Sequence, residues 1–319
     1  MGELLSVQTT LRSNSSEVNI RPDGPTTVIG EKINPTGKKT LTAALRAGEF
    51  DYLGELAARQ VAAGADVLDI NVCVAGLDEV VVLTDVVKVV AATANVPLCI
   101  DSSNPKALAA ALAVAPGKPL INSVNGDQSV LREMLPVVKN HGAAVIGLTM
   151  DDTGIPNTPH NRLSIAARIL ERASRLGIPA DDVMIDPLVM AVGVDQKAGE
   201  VALKTIELIR QELGVNIVLG ASNVSFGLPA RHTINHAFLV LAIGAGASCV
   251  ITDPMKFTAS IRAVDLLRGR DTYSKRYIKH YRSYSENLGR LYTTAKEEEV
   301  TKLKRAFGEG IFEKGGGSS

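Results

Sequence analysis

The chain has 319 residues and a mass of 33.7 kDa, and its 34 Lys and Arg balance 34 Asp and Glu, so the formal net charge is zero. Apolar residues make up 45% of the sequence and aromatic residues only 4%. The apolar fraction excludes a disordered chain, and the lack of a basic surplus together with scarce aromatic residues excludes a dedicated nucleic-acid-binding protein. The length suits one large α/β barrel or two ordinary domains.

Cysteine content and apolar runs point to a reducing, aqueous compartment. Cys73, Cys99 and Cys249 are too few and too scattered for a disulfide framework or a Cys-x-x-Cys metal site. Residues 1–19 lack the basic and apolar regions of a signal peptide. The longest apolar run, 237–251, is interrupted by Gly and is shorter than the ~20 residues of a transmembrane helix. We therefore predict a cytoplasmic protein without a membrane span.

Eight short apolar runs, each typical of a buried β-strand, recur along the chain. They are Thr27–Ile29, Val67–Ile70, Leu98–Ile100, Leu120–Asn122, Val145–Leu148, Val183–Ile185, Ile217–Leu219 and Cys249–Ile251. A stretch of helical periodicity follows each of them: Leu53–Val61, Glu79–Ala92, Lys106–Ala113, Val130–Lys139, Leu163–Leu176, Val201–Leu213, Asn235–Ala242 and Ala259–Leu267. This alternation predicts an α/β fold with a parallel sheet, closed as a (β/α)8 TIM barrel, with an open doubly wound sheet as the alternative.

Three segments are predicted along the chain. Residues 1–25 form a polar N-terminal extension, residues 26–270 form the barrel, and residues 271–319 form a helical C-terminal extension with a flexible Gly-Ser tail. One or two helices are expected in the last segment, over Tyr273–Leu291 and Ala295–Phe307. The stretch 262–290 carries eight Lys and Arg against three Asp and Glu, so we expect a basic surface there that meets a subunit or another protein.

Polar side chains follow the ends of all eight predicted strands, where barrel enzymes carry their active sites. Carboxylates and carboxamides dominate this set, which comprises Glu31, Asn34, Asp69, Asn71, Asp101, Ser102, Asn104, Asn122, Asn125, Thr149, Asp151, Asp186, Ser222, Asn223 and Asp253. Such a ring offers acceptors and amide groups but no obvious nucleophile, which suits a neutral heterocycle such as a pterin. A helix N-cap is the alternative for Asp101, and a structural barrel layer is the alternative for Asp69.

The sequence lacks the residues needed for Schiff-base catalysis and for a metal site. No Lys closes a predicted strand where a Schiff-base enzyme would require one, and Lys32 is the nearest candidate. The five His residues show no metal-ligand spacing, so we predict no metal bound by this chain.

Seven motifs at these strand ends follow one another in the order of a known family. They are Gly30–Asn34, Leu68–Asn71, Pro97–Asn104, Ile121–Ser123, Gly142–Met150, Ile185–Pro187 and Leu219–Ser225. Together they resemble the pterin-binding barrel of the methyltetrahydrofolate:corrinoid-protein methyltransferases, which is similar to the folate domain of cobalamin-dependent methionine synthase. The resemblance covers about Val28 to Arg270.

The resemblance implies roles for particular residues. Asp101, Asn122 and Asp186 are expected to hold the pterin edge. Asn223 is expected to hydrogen-bond near N5 as the catalytic residue, with Ser222 and Arg231 as further substrate-binding residues. Some relatives have a polar residue where this chain has Phe226, which leaves the substrate contacts of that loop open.

The resemblance also implies substrates and partners. Methyltetrahydrofolate or tetrahydrofolate would be the small-molecule substrate, and a homodimer is expected. No Asp-x-His-x-x-Gly cobalamin motif occurs, so the corrinoid (cobalamin) would arrive on a partner protein. Two alternatives stay open: a dihydropteroate synthase-like pterin enzyme, against which the absence of Lys from the 222–225 loop counts, and a non-catalytic folate-binding barrel.

Overall fold

The computed structural model describes residues 7–283, in which eight parallel strands form a barrel preceded by a two-stranded hairpin. The strands are β1 (Thr9–Arg12), β2 (Glu17–Ile20), β3 (Thr27–Ile33), β4 (Val67–Ile70), β5 (Leu98–Asp101), β6 (Leu120–Asn125), β7 (Ala144–Leu148), β8 (Val183–Asp186), β9 (Val218–Gly220) and β10 (Cys249–Thr252). The sheet runs in the order β8-β7-β6-β5-β4-β3-β10-β9, and a parallel bridge between Ile185 and Ile217 brings its two ends together. The predicted TIM barrel is therefore confirmed.

Helices connect successive barrel strands and form the outer layer. They are α1 (Lys39–Ala47), α2 (Asp51–Ala62), α3 (Glu79–Thr93), α4 (Pro105–Val114), α5 (Gln128–His141), α6 (Pro159–Arg175), α7 (Ala198–Glu212), α8 (Arg231–Ala245) and α9 (Pro254–Leu267). Helix α1, which the sequence analysis did not predict, ends at Gly48 with φ of 70°, a backbone conformation that glycine adopts without steric cost. Asp78 and Asn104 begin α3 and α4 by accepting backbone N–H groups in their first turns.

Alternate residues of each strand enter two separate apolar layers. One layer fills the barrel interior and includes Ile29, Val67, Cys99, Ile146 and Met184, all fully buried. The other lies between the strands and the surrounding helices. This alternation is the ordinary packing of an eight-stranded barrel, and it leaves the strand ends as the places where polar side chains meet.

A hairpin seals the amino-terminal end of the barrel. Strands β1 and β2 pair antiparallel, and Leu11 and Ile20 lie fully buried in the interior layer. Asn216 Nδ2 donates to Thr9 Oγ1 at 3.0 Å and to the Ile20 carbonyl at 2.8 Å. The hairpin was not predicted, because two four-residue strands in a polar stretch carry too weak a pattern. Since this end is sealed, the opposite end is left for function.

Helix α9 and the segment after it pack against the sealed end through ion pairs. Asp66 accepts from Arg262 Nη2 and from Arg276 Nη2, both at 2.8 Å. Asp271 accepts the backbone N–H groups of Arg276 and Tyr277, which begins a helical segment over 275–283. Part of the predicted basic surface is therefore neutralised internally.

The remaining segment predictions lie partly beyond the described residues. The predicted helix Tyr273–Leu291 falls within them only up to residue 283, and the predicted helix Ala295–Phe307 lies outside them. The division into 1–25, 26–270 and 271–319 stays a prediction. No helix in the described part of the chain is long and apolar enough to cross a membrane, and a cytoplasmic location stays a prediction as well.

Candidate active site

Four buried or half-buried carboxylates gather at the carboxyl ends of the barrel strands. Glu31 lies on β3, Asp69 on β4, Asp101 on β5 and Asp186 on β8. Strand register places Asp101 level with Asn122 on β6. The carboxyl ends of parallel strands meet at one end of a barrel, so these side chains share one pocket mouth.

The deepest contact of this group joins Asp69 to Asn122, whose Nδ2 donates to Asp69 Oδ1 at 3.2 Å. Burial, and then the charge of Asp101, raises the pKa of Asp69 to about 7. Asp69 is only 3% exposed and bonds to Asn122, so a place in the ligand pocket and a place in a structural barrel layer both stay open for it.

Asp101 lies beside Asp69 and bonds to Asn71, whose Nδ2 donates to Asp101 Oδ2 at 3.0 Å. Burial raises the pKa of Asp101, and the nearby charge of Glu79 adds to the effect. The N-cap alternative for Asp101 is wrong, because Asn104 caps the following helix. Asp101 is thus a half-buried acceptor held by a neutral amide, without a cation partner among the described residues.

Asp186 closes the other side of the mouth. Its Oδ1 accepts from the Leu188 N–H at 2.7 Å, and its Oδ2 accepts from the Gly220 N–H at 3.2 Å. Burial raises its pKa to about 6, although the two backbone donors partly counter that effect. Leu188 has φ of 58°, the left-handed conformation that turns its N–H back toward the carboxylate.

Arg162 on α6 fixes this turn from below. Its side chain is 1% exposed, and Nη1 donates to the carbonyls of Pro187 at 2.9 Å and Leu188 at 2.8 Å. Its Nε donates to the Pro156 carbonyl at 2.8 Å, so one guanidinium ties two mouth loops together. Sequence reasoning missed Arg162, because a basic residue in the first turn of a helix gives no sign that it is buried.

The loop after β9 carries the predicted catalytic residue. Residues Ala221–Ser225 form a short 3-10 helix, and Ser222 Oγ donates to the Glu31 carboxylate at 2.9 Å and 3.0 Å. Asn223 is exposed, and its carboxamide makes no hydrogen bond to any described residue. The loop therefore presents a free amide group at the mouth, anchored by the residue before it.

Arg231 holds the same loop from the first turn of α8. Its Nη2 donates to the Ser222 carbonyl at 2.8 Å, and its Nε donates to Ser225 Oγ at 3.0 Å. The guanidinium also lies over the ring of Phe226, 5.8 Å from its centroid. The geometry gives Arg231 a role in shaping the loop, and its predicted contact with the substrate stays a prediction.

Two lysines lie near the first and last strand ends. Lys32 Nζ pairs with Asp253 at 3.0 Å, and Lys38 Nζ donates to the Lys32 carbonyl at 3.0 Å. Burial, and then the charge of Lys32, lowers the pKa of Lys38. Burial also raises the pKa of Glu31, which Ser222 partly offsets.

The predicted site residues divide into two groups. Asp101, Asn122, Asp186 and Ser222 lie at the same end of the barrel, while Asn223 and Arg231 lie exposed on its rim. Glu31 and Asn71 were predicted to lie among the polar residues at the strand ends, but the sequence offered no reason to assign either of them to substrate binding. Within the described residues, no group of three or more His, Cys, Asp or Glu could hold a metal ion. The mouth therefore offers acceptors and amide groups for a neutral, hydrogen-bonding ligand.

Comparisons with known proteins agree with this geometry. A family model described as pterin binding enzyme matches residues 30–253. The methylcorrinoid:tetrahydrofolate methyltransferase of Eubacterium limosum is 30% identical over 263 residues, which cover 80% of this chain and 96% of that protein. The methionine synthase of Mycobacterium tuberculosis is 30% identical over 265 residues, which cover 79% of this chain but only 22% of that protein.

Solved structures show the same fold at lower identity. The dihydropteroate synthase of Yersinia pestis superposes with a TM-score of 0.62 and 17% identity, and the match covers 83% of this chain and 99% of that one. At this identity the likeness concerns the fold alone. The family model and the relative matched over nearly its whole length go further: the chain belongs to the pterin binding enzyme family and, within it, to the family of methylcorrinoid:tetrahydrofolate methyltransferases.

Proposed function

We propose that this enzyme moves a methyl group between N5 of methyltetrahydrofolate and the cobalt of a corrinoid carried by a separate protein. The observation that carries the proposal is the free carboxamide of Asn223 at the rim of a mouth lined by buried carboxylates and amides. None of these side chains is an activated nucleophile. The residues therefore bind and orient the two reactants, and the methyl group passes directly from one reactant to the other.

Binding of the pterin edge falls to Asp101, Asn122 and Asp186. Carboxylates accept the 2-amino and N3–H donors of a pterin, and an asparagine amide both donates to and accepts from its 4-oxo group and ring nitrogens. Asp186 suits this task because its two backbone donors hold it in one orientation. A preoriented acceptor loses little entropy when the ligand arrives.

Methyl transfer requires a better leaving group than a neutral tertiary amine provides. A proton on N5 meets this requirement, after which the electron pair of Co(I) forms the Co–CH3 bond as the CH3–N5 bond breaks and N5 keeps its proton. Asn223 would accept a hydrogen bond from the protonated N5, which stabilises the positive charge as it forms. An asparagine cannot supply the proton, so water delivers it from solvent.

The partners follow from the same scheme. The corrinoid is a substrate delivered by a corrinoid protein, and the chain acts as a homodimer in one-carbon metabolism. The exposed Phe226 beside Asn223 gives the rim an apolar surface where a corrinoid edge would approach.

Mixing the protein with methyltetrahydrofolate and Co(I)-cobalamin tests the activity directly. We expect the Co(I) absorbance to disappear as methylcobalamin forms. The protein could instead bind the folate while the Co(I) absorbance persists, both with free cobalamin and with a corrinoid protein as the acceptor. That result would identify the chain as a non-catalytic folate-binding barrel. Formation of dihydropteroate from a pterin diphosphate and p-aminobenzoate would instead support the synthase alternative.

Replacing Asn223 with Ala tests the catalytic role. We expect the single-turnover transfer rate to fall about 100-fold, because a hydrogen bond to developing charge is lost, while the Kd of methyltetrahydrofolate rises less than about fivefold. Asn157→Ala, the same substitution at an exposed residue of the loop after β7, is the matched control and should keep the transfer rate within a few-fold. Equal losses of rate and affinity in Asn223→Ala would contradict this role.

A further inference from the structure

A cavity lies at the sealed end of the barrel, opposite to the candidate active site. It has a volume of about 480 Å3, which is within the range of small-molecule sites. The turn after β2 and the segment after α9 both contribute to its lining, which includes Arg21, Asp23, Arg270, Asp271, Lys275 and Arg276. The cavity therefore joins two parts of the chain that are far apart in sequence.

Cations outnumber carboxylates in this lining by four to two, which leaves a formal charge of +2. One of the two carboxylates, Asp271, is only 7% exposed and already accepts two backbone N–H groups. The other, Asp23, is exposed to solvent. Within the described residues, neither Arg21 nor Lys275 pairs with a carboxylate. A concave surface with a surplus of positive charge attracts anions, so these two cations are available to a bound anion.

Arg270 adds an unpartnered donor to the same lining. Its Nη1 is buried and makes no hydrogen bond to any described residue, while its Nη2 donates to the Pro22 carbonyl at 3.5 Å. Burial, and then the charge of Arg268, lowers the pKa of Arg270. A buried donor without an acceptor is unfavourable, and the nearby like charge adds to the cost. An anion in the cavity would relieve both.

The turn before Lys275 has an unusual backbone conformation. Tyr273 and Ser274 have φ of 58° and 56°, the left-handed region that is costly for residues other than glycine. Lys275 follows directly, and its Nζ lies 5.8 Å from the centroid of the Tyr273 ring. Such conformations persist where surrounding contacts hold them, and they cluster at ligand sites. This turn fixes the position from which Lys275 lines the cavity.

We propose that this cavity binds a phosphate group, either free or carried by a small molecule, through Arg21, Arg270 and Lys275. Arginine binds phosphate oxygens in a two-pronged fork and lysine binds them as a point charge. A cavity of this size admits a small anion, whereas the acidic surface of a protein would need a broader contact. The site is separate from the pterin site, so it stands or falls independently of methyl transfer.

A phosphate in this cavity would join the hairpin to the segment after α9. Arg21 directly follows β2, whereas Arg270 and Lys275 follow α9. An anion held by both parts binds the folded chain and not the unfolded one, so it stabilises the folded chain by mass action. Phosphate should therefore raise the Tm as well as bind.

Isothermal titration calorimetry of the full chain with inorganic phosphate, at an ionic strength kept constant with NaCl, tests the site. We expect a Kd below about 1 mM, and a Tm raised by about 3 °C at about ten times that Kd. Arg21→Gln and Lys275→Gln should each raise the Kd about tenfold, because each removes a charged donor. Lys279→Gln removes the same charge from an exposed residue outside the lining and should keep the Kd within about twofold. Asp23→Asn should lower the Kd about threefold, since it removes a repelling charge from the lining.

A second titration with adenosine monophosphate distinguishes the two sources of the phosphate group. Tighter binding than that of inorganic phosphate would support a nucleotide as the ligand, and weaker binding would support the free ion. No binding of either compound, or an unchanged Kd in both Arg21→Gln and Lys275→Gln, would overturn the proposal. Phosphate binding only after Glu297, Glu298 and Glu299 are all replaced by Gln would also overturn it, and would assign the cavity to this acidic run of the chain itself.

Discussion

The pKa values of buried acidic groups shift in opposite directions at the two ends of the barrel. At the sealed end, burial alone would raise the pKa of Asp66, but Arg262 and Arg276 outweigh that effect and the pKa is lowered. At the open end, burial raises the pKa of Asp69, Asp101 and Asp186. The sealed end pairs the charge of Asp66 for stability, whereas the open end, apart from the pair of Lys32 and Asp253, holds Asp69, Asp101 and Asp186 without ion-pair partners among the described residues, at a cost in stability.

The largest expected effect comes from breaking the ion pairs of the sealed end. Asp66→Asn should lower the free energy of unfolding by about 3 kcal/mol, because it leaves two guanidinium groups without their carboxylate. Chemical denaturation at pH 7.5 measures this value. Asp186→Asn at the open end is the comparison, and it should cost only about 1 kcal/mol, since removing a buried charge that has no ion-pair partner offsets part of the loss of one of its two backbone hydrogen bonds. Equal losses would show that the two ends do not differ.

The pH dependence of stability sharpens the same contrast. With a pKa of about 6, folded Asp186 keeps a proton that the unfolded chain has lost above about pH 4, so its contribution to stability falls as pH rises through 6. Wild-type stability relative to Asp186→Asn should therefore drop by about 1.4 kcal/mol between pH 5 and pH 7.5, as measured by urea unfolding. Relative to Asp66→Asn no such drop is expected, because the lowered pKa of Asp66 lies below this window. A difference from Asp186→Asn that stays constant with pH would contradict the assignment.

A smaller effect is expected from the residue that positions the open end. Arg162→Lys should weaken tetrahydrofolate binding about tenfold, since one ammonium group cannot hold the carbonyls of Pro156, Pro187 and Leu188 together. Isothermal titration calorimetry measures the affinity. Arg168→Lys on the same helix, whose partner Asp151 lies outside the turn, should leave the affinity unchanged. Lost stability with unchanged affinity would restrict Arg162 to a structural role.

Much of the open end could be predicted from the sequence. Asp101, Asn122 and Asp186 each end an apolar run, and parallel strands bring their carboxyl ends together whatever the loop lengths. The hydrogen bonds that orient the side chains of this end and shift their pKa values could not be predicted. The bond between Glu31 and Ser222 joins residues 191 positions apart, and no periodic pattern signals such a pair. Burial of Arg162 likewise depends on how the loops after β7 and β8 pack over its side chain.

The hairpin at the sealed end constrains the order in which the barrel can be completed. Thr9 and Ile20 lie early in the chain, yet Asn216, which bonds to both, follows them by 207 and 196 residues. During synthesis these early strands emerge long before their partner exists, and closing so long a loop costs entropy that only the final contacts repay. These bonds can form only once six of the eight barrel strands, β3 to β8, have been synthesised. Docking of the hairpin therefore reports that most of the barrel, up to β8, is already in place.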